Sequence, residues 1–247
     1  GAASLATAAM VNGNLTMSGL TSQLDLNANI TVLGNVSFGA LQTINSNNST
    51  ITVGGNWLKL GTFIQGSGNV IFNGAGSQTL SAMNFNNLII NKSADTLNLT
   101  GDVSINGDLT LTAGNLDLKA FSCSRTAIGG ILSLIAGTRL KIGGTSNFPS
   151  NFDNLVIPAT STVEYNGSIA QTVKAIAYGN LTFSNGGSIV KSLGGSVTVN
   201  GDVKININSA FDALSFTIDL YGHWIDSGTF IPSTSTVKMS GGIPIDS

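Results

Sequence analysis

Three stretches, Val11-Asn12-Gly13-Asn14-Leu15, Ile105-Asn106-Gly107-Asp108-Leu109 and Val199-Asn200-Gly201-Asp202-Val203, are copies of one phrase. Successive copies lie 94 residues apart. Each copy places an Asn-Gly pair between apolar residues, and Asn and Gly accept the backbone conformations of tight turns. A phrase that returns at a fixed distance indicates one structural unit used repeatedly. The repeat therefore predicts a repetitive architecture of short strands rather than a fold built around a pocket.

A shorter period lies inside this unit. From Asn12 to Gly34 is 22 residues, from Gly34 to Gly55 is 21, and from Asn200 to Gly222 is again 22. Between these points, short runs such as Ile51-Thr52-Val53 alternate apolar and polar residues, which indicates strands. A coil of 21–22 residues has room for three short strands and three turns. We therefore predict an all-β parallel β-helix (β-solenoid), with tandem β-sandwich domains as the alternative.

The domain prediction is a single continuous β-solenoid over residues 1–247. Residues 1–10 are a possible N-terminal cap or assembly segment. The repeat units cover approximately residues 11–104, 105–198 and 199–247. A further match, Gly55-Asn56-Trp57 with Gly222-His223-Trp224, has an offset of 167 residues, which is 21 short of two long repeats. Insertions and deletions therefore come in whole coils, and the handedness of the solenoid stays open.

Composition restricts the classes of partner. Charged residues make up 9% of the chain, against roughly 25% in an ordinary soluble domain. A net charge of −2 gives no electrostatic attraction to nucleic acid or to an anionic membrane. No apolar stretch reaches the roughly 18–20 residues of a membrane span. We expect no nucleic-acid partner and no membrane insertion. Low charge in a strand-rich chain predicts either a fold closed on itself or self-association.

Two longer blocks carry a resemblance. They cover Gly55 to Lys92 and Leu140 to Ser184, and their most specific pieces are Phe148-Pro149-Ser150-Asn151-Phe152 and Ser161-Thr162-Val163-Glu164-Tyr165-Asn166-Gly167. The chain resembles the very large, repetitive surface proteins of Bacteroidota, Chlorobi and Ignavibacteria-like bacteria. The resemblance covers most of residues 49–247 and implies secretion and a structural or adhesive role. It transfers no catalytic residue, and because such proteins are usually longer, it implies a fragment or a processed subunit.

Acids and the histidine do not form a catalytic or metal-binding pattern. His223 is the only histidine, and one imidazole needs further ligands to hold a metal. Asp102, Asp108 and Asp202 follow glycines at turn positions of the repeat, and Asn14 stands where Asp108 does. A catalytic carboxylate would not be interchangeable with an amide, so we interpret these side chains as turn caps. The sequence predicts no enzyme, no catalytic residue, no cofactor and no metal site.

Cysteine and tryptophan are interpreted structurally. Cys123 is the single cysteine, and we expect a buried apolar residue rather than a surface thiol that joins subunits. Trp57 and Trp224 occupy equivalent places in the repeat. We interpret both as core or stacking aromatics rather than as platforms for sugar rings.

The function predicted from these patterns is that of a structural extracellular or cell-surface protein. The solenoid would self-associate end to end into a filament, sheath or surface stalk, because uncovered solenoid edges invite further strands. The residues predicted to form the two assembly ends are Ala2, Leu5, Met10, Val237, Met239, Ile243 and Ile245.

The alternative function is a carbohydrate-binding adhesin or phage-fibre-like module with surface glycans as partners. It requires exposed aromatic side chains, for which Tyr165, Tyr178 and Tyr221 are the candidates. A polysaccharide-degrading β-helix enzyme is disfavoured, because the cluster of carboxylates that its chemistry needs is missing from the sequence.

Overall fold

The fold is seen in a computed structural model, which describes residues 1–241 except for the side chain of Ala94. These residues contain no helix, and their parallel strands form a β-solenoid of about 11 turns with a spacing of roughly 21 residues. The predicted fold class and coil length are confirmed. The β-sandwich alternative is wrong, because sandwich sheets are antiparallel whereas the strand pairings described here are parallel.

The strands are short and are separated by turns. The first sixteen are β1 Ala2–Leu5, β2 Ala9–Val11, β3 Leu15–Met17, β4 Ser22–Leu26, β5 Ile30–Val32, β6 Val36–Phe38, β7 Gln42–Asn45, β8 Ile51–Val53, β9 Trp57–Lys59, β10 Thr62–Ile64, β11 Asn69–Phe72, β12 Gln78–Leu80, β13 Met83–Phe85, β14 Asn87–Leu99, β15 Val103–Ile105 and β16 Leu109–Asp117. The other sixteen are β17 Cys123–Arg125, β18 Gly129–Leu134, β19 Arg139–Ile142, β20 Phe152–Val156, β21 Thr162–Tyr165, β22 Gln171–Val173, β23 Ala177–Tyr178, β24 Asn180–Phe183, β25 Val190–Leu193, β26 Val197–Val199, β27 Val203–Ile205, β28 Ala210–Asp212, β29 Thr217–Leu220, β30 Trp224–Asp226, β31 Thr229–Ile231 and β32 Thr236–Met239.

Two compact units divide the described chain. The first contains Gly1–Asp117, Phe121–Ser133 and Pro149–Val156, and therefore β1 to β17, β20 and most of β18. The second contains Leu118–Ala120, Leu134–Phe148 and the chain from Ile157 onward, with β19 and β21 to β32.

In the first unit, strands of successive coils stack in parallel. One stack runs β1-β4-β7-β10, a second β2-β5-β8-β11-β14, and a third β3-β6-β9-β12-β14. Strand β14 has 13 residues and belongs to two stacks, because its first part pairs with β11 and its last part with β12. Register follows the sequence period, since Ile30 pairs with Ile51 and Val32 with Val53.

The interior of the first unit is filled by apolar ladders and one aromatic cluster. Trp57 is fully buried. The rings of Phe38, Phe63 and Phe85 meet its ring edge to face, with centroids 6.1, 5.2 and 5.8 Å away. Such pairs stabilise beyond the apolar area they bury, so this cluster anchors the middle coils of the unit.

The second unit has three parallel stacks. They run β19-β21-β24-β27-β30, β22-β25-β28-β31 and β23-β26-β29-β32. Inside, the rings of Phe183 and Phe211 stack with centroids 4.0 Å apart, and Phe230 follows at 5.7 Å from Phe211. The apolar residues of each coil thus bury themselves on the coils next to them.

Tight coil stacking makes some glycines indispensable. Gly66 has φ +52°, and a β-carbon there would lie 1.5 Å from the carbonyl oxygen of Asn47 in the neighbouring coil. Gly76 lies between strands of the same unit, and no atom lies within 4 Å of the place that a β-carbon would take there.

We expect Gly66→Ala to lower the free energy of unfolding by about 2–3 kcal/mol or more, because backbone strain and the clash with Asn47 add. Gly76→Ala serves as the control and should change it by less than about 0.5 kcal/mol. Urea denaturation measures both, and equal stabilities would contradict the stacking.

Candidate functional site

The predicted assembly residues lie on the outermost coils of the described chain. Ala2 and Leu5 are in β1 and Met10 is in β2, in the first unit, while Val237 and Met239 are in β32, in the second. Ile243 and Ile245 lie outside the described residues. Within the described part, β1, β2 and β3 each pair with one neighbouring strand only, and so do β30, β31 and β32. Each of these two coils therefore presents a row of open backbone groups.

The outermost coil of the second unit repeats the sequence of an inner coil of the first. Trp57 and Phe72 are completely buried in β9 and β11. Their counterparts at the offset of 167 residues are Trp224, which is half-buried, and Met239, which is 55% exposed. Likewise Val70 is 3% exposed and its counterpart Val237 36%. The outer coil thus has the inward residues of a covered coil, and within residues 1–241 its strands pair on one side only.

Registers decide which predicted residues face inward at the other edge. Leu5 pairs with the buried Leu26 and continues an inward column. Met10 pairs with Thr31, whereas its neighbours Ala9 and Val11 pair with the buried Ile30 and Val32. Met10, 64% exposed, therefore belongs to an outward column. The sequence could not show that Met10 points outward. All three residues of Ala-Met-Val are apolar, so either choice of inward positions puts an apolar side chain inside.

Asparagine side chains tie successive coils together at one corner. The side-chain oxygen of Asn14 accepts a hydrogen bond from the backbone N–H of Asn35 at 2.8 Å, and that of Asn35 accepts from Asn56 at 2.7 Å. The oxygen of Asn56 accepts from the N–H of Thr79 at 2.7 Å. The bonds pass from one coil to the next rather than within a single turn. They pair N–H groups that the turn leaves outside the strand ladders.

Aspartates perform the same task in the other copies of the phrase. Asp108 accepts from the N–H of Ile131 and Asp202 from the N–H of His223, both at 2.8 Å. Asp102 accepts from Ser122 at 2.8 Å. These acids lie at corners as predicted, but they accept from backbone N–H groups of the next coil rather than of their own turn. Amide and carboxylate are interchangeable here because only an acceptor oxygen is needed.

Histidine stays a corner residue. The ring Nδ1 of His223 lies 3.0 Å from the Asp202 carboxylate, and the side chain is 85% exposed. The described residues contain no group of three or more His, Cys, Asp or Glu side chains arranged to hold a metal ion. The pair has one carboxylate and one imidazole, which is fewer donors than a protein metal site uses.

Two of the three tyrosines proposed as exposed aromatics are buried. Tyr165 and Tyr178 were candidates for exposed sugar-binding aromatics, but both are completely buried. Their hydroxyl groups lie 3.0 Å apart, and the backbone of Lys174 donates to Tyr165 and accepts from Tyr178. Burial raises the pKa of Tyr165 to about 12. The pair fixes the segment between the two tyrosines to the core, and of the three candidates only Tyr221, 47% exposed, is at the surface.

Cysteine and tryptophan follow the structural interpretation. Cys123 is completely buried, and burial raises the pKa of its thiol to about 12. A thiol in that state is neither a nucleophile nor a subunit cross-link. Trp57 is a core residue, and Trp224 packs edge to face on Phe230 with centroids 4.6 Å apart.

Sequence reasoning missed two buried lysines. The ammonium of Lys92 donates to the carbonyl oxygens of Gly74 and Gly76 and to Oε1 of Gln78, each at 2.7 Å. Lys191 is equally buried, yet its Nζ finds no hydrogen-bond partner among the described residues. Burial lowers the pKa of both side chains, most plainly for Lys191, where no charge opposes it. Lys191 lies between Val190 and Ser192, and the apolar and polar residues of this strand do not alternate clearly. The hydrophobic pattern alone therefore could not show that Lys191 points inward.

No family model matches the sequence, and no curated protein and no solved structure matches it either. The described residues include no helix of the length and apolarity needed to cross a bilayer.

The corner ladder predicts how Asn35 responds to substitution. Asn35→Ala leaves the N–H of Asn56 without its acceptor, and we expect the free energy of unfolding to fall by about 1 kcal/mol. Asn35→Asp retains the oxygen, as Asp108 does naturally, and should change stability by less than about 0.5 kcal/mol. Chemical denaturation of the two variants measures the difference. Equal losses in both would contradict the role of the side-chain oxygen.

The two lysines predict opposite effects of the same substitution. Lys191→Met removes a buried ammonium without a partner, so we expect it to raise the free energy of unfolding by about 1–2 kcal/mol. Lys92→Met leaves carbonyl oxygens unpaired and should lower the free energy of unfolding by about 1–3 kcal/mol.

Folding lowers the pKa of Lys191, so the unfolded chain binds more protons than the folded chain. The free energy of unfolding of the wild type therefore rises with pH because of this residue. The advantage of Lys191→Met should therefore shrink as the pH rises towards 10.5, the ordinary pKa of a lysine side chain. An advantage independent of pH would contradict the assignment.

Proposed function

We propose that this chain is a structural β-solenoid protein that self-associates end to end, edge coil on edge coil, into a filament, sheath or stalk. The occupant of each open edge is a second copy of the chain. The observation that carries the proposal is the outer coil β30 to β32, which repeats the buried residues of β9 to β11 but leaves Val237 and Met239 exposed.

The repeat supplies a fit between the two edges. By the offset of 167 residues, β31 corresponds to β10, which belongs to the stack that β1 begins. In the same way β32 corresponds to β11, which belongs to the stack that β2 begins. A second copy can therefore lay its β1 on β31 and its β2 on β32, with the strands parallel and the inward column of Leu5 continued.

The two edges differ, so their contact is head to tail. A head-to-tail contact leaves one edge of each type free in every assembly, and unless the rotation closes a ring, it propagates into a filament. Backbone hydrogen bonds and apolar columns would both be extended, as they are between coils of one chain.

An exterior location completes the proposal. Its ground is the resemblance of residues 55–92 and 140–184 to secreted repetitive surface proteins. The carbohydrate-binding alternative keeps one exposed tyrosine, Tyr221, of its three candidates. A single ring gives a weaker basis for glycan binding than two complete edges give for self-association.

A charge at the edge predicts loss of assembly. Val237 pairs in register with the buried Ile218 and faces inward, so Val237→Lys would place an ammonium between stacked coils at high desolvation cost. We expect wild-type chain to form particles that lengthen with concentration and the variant to stay monomeric. Analytical ultracentrifugation and negative-stain images measure this.

The matched control is Leu60→Lys, because Leu60 is 80% exposed at the corner between β9 and β10, in an inner coil of the first unit. It should assemble like the wild type. Wild-type chain that is monomeric at every concentration would overturn the proposal, and so would a Val237→Lys variant that assembles normally.

A further inference from the structure

The chain contains six Asn-Gly pairs, and their glycine amides differ in environment. In this dipeptide the glycine nitrogen meets no β-carbon as it approaches the asparagine side-chain carbonyl, so attack on that carbonyl is sterically open. Thermolabile asparagines are lost by this type of reaction. The pairs begin at Asn12, Asn73, Asn106, Asn166, Asn185 and Asn200.

Four of the six glycine amides are occupied by hydrogen bonds. Gly107 donates to the carbonyl oxygen of Asn86 at 2.7 Å and Gly201 to that of Gly179 at 3.0 Å. Gly74 and Gly167 donate to the side-chain oxygens of buried glutamines, at 3.0 and 2.8 Å. A nitrogen held in such a hydrogen bond is fixed in place and cannot turn towards its own asparagine side chain.

Two glycine amides remain without a partner in the described part of the chain. One is Gly13 on the outermost coil, after an exposed Asn12. The other is Gly186, in the turn between β24 and β25 of the second unit. The preceding Asn185 is exposed and has φ +57°. Gly186 lies in the interior of the repeat, so its free amide is independent of the edges.

Lys191 distinguishes the second pair from the first. Its Nζ lies 2.5 Å from the point where a β-carbon on Gly186 would stand, so the amine packs directly on the glycine backbone. The same Nζ is buried and has no hydrogen-bond partner among the described residues. No other described lysine combines burial with an unused amine, since Lys92 has three acceptors.

We propose that Asn185-Gly186 is a self-modification site, at which the Gly186 nitrogen closes a succinimide ring on Asn185 with Lys191 as the general base. The Gly186 N–H passes its proton to the neutral amine, and the nitrogen bonds to Cγ of Asn185. The Cγ–Nδ2 bond breaks, and ammonia leaves with the proton that Lys191 returns. Water then opens the ring, giving aspartate or isoaspartate. No oxidant, metal or cofactor enters the balance.

The groups around Lys191 permit this role. In register, Gln171 of β22 and Phe211 of β28 flank it, and neither titrates. The nearest acid on these strands is Asp212, one register position further along, which accepts hydrogen bonds from Leu214 and Ser233. Desolvation lowers the pKa of Lys191, which supplies neutral amine at a lower pH than an exposed lysine would.

The test follows all six sites in one sample. The folded chain is incubated in neutral and mildly alkaline buffers, digested at acid pH and mapped by mass spectrometry, with isoaspartate separated from aspartate. We expect Asn185 to convert fastest, Asn12 next, and the four hydrogen-bonded pairs to stay intact. In denatured chain all six should convert at similar rates.

Lys191→Met tests whether Lys191 is the base. We expect the rate of succinimide formation at Asn185 to fall by roughly tenfold to a hundredfold, at or below the lower end of the range for a positioned general base. Lys204→Met, which removes an exposed lysine of the same unit, is the control and should leave it unchanged. Circular dichroism establishes that both variants fold.

A pH profile of the wild type tests the same role without a variant. The Asn185 rate should level off once Lys191 is neutral, while the Asn12 rate continues to rise with hydroxide concentration. Conversion of Asn185 no faster than Asn106 would overturn the proposal, and so would an unchanged rate in Lys191→Met. Neither result bears on end-to-end assembly, which has its own test.

Discussion

Pairing of backbone groups between successive coils is the constraint on which the rest of the structure depends. The short strands of one coil do not pair with one another, so their N–H and C=O groups pair with the coil before or after. Some turns also close a bond within the coil, as the N–H of Ser49 does on the carbonyl oxygen of Ser46. Strand ladders satisfy the straight parts, and side chains such as Asn35 satisfy the corners. Glycines such as Gly66 let neighbouring backbones approach closely enough. The same constraint leaves unpaired backbone groups on the first and last described coils, and the proposed self-association depends on these groups.

Much of this fold could be predicted from the sequence because stacking copies the sequence period into space. The three phrases beginning at Val11, Ile105 and Val199 each end one strand, turn a corner and begin the next. Trp57 and Trp224 both begin strands, as their shared phrase required. The outer coil could be located by the same match, but its exposure could not, since exposure depends on what lies above a coil rather than on its own residues.

The remainder escaped prediction for local reasons. Tyr165 and Tyr178 carry polar hydroxyl groups, which are compatible with an exposed position. In the core these hydroxyl groups hydrogen-bond to each other and to the backbone of Lys174. Lys191 sits in a run without clear alternation, and only the register with Gln171 and Phe211 places it inside. Long-range register of this kind cannot be read from one coil, because a shift by one residue moves each side chain to the other face.

Parallel stacking in register also explains why the chain is so poor in charge. Equivalent side chains of successive coils stand about 4.8 Å apart, so a repeated Asp or Lys would meet its own charge in every coil. At the corner, Asp202 stands between Asn180 and His223, and Asp108 follows Asn87. Along the strands, Asp25 pairs with Asn45, Glu164 with Lys141 and Asp219 with Lys238. No like charges face each other in these registers. Asparagine offers the same acceptor oxygen without the repulsion, so a ladder of amides interrupted by isolated aspartates satisfies the corners at the lowest electrostatic cost.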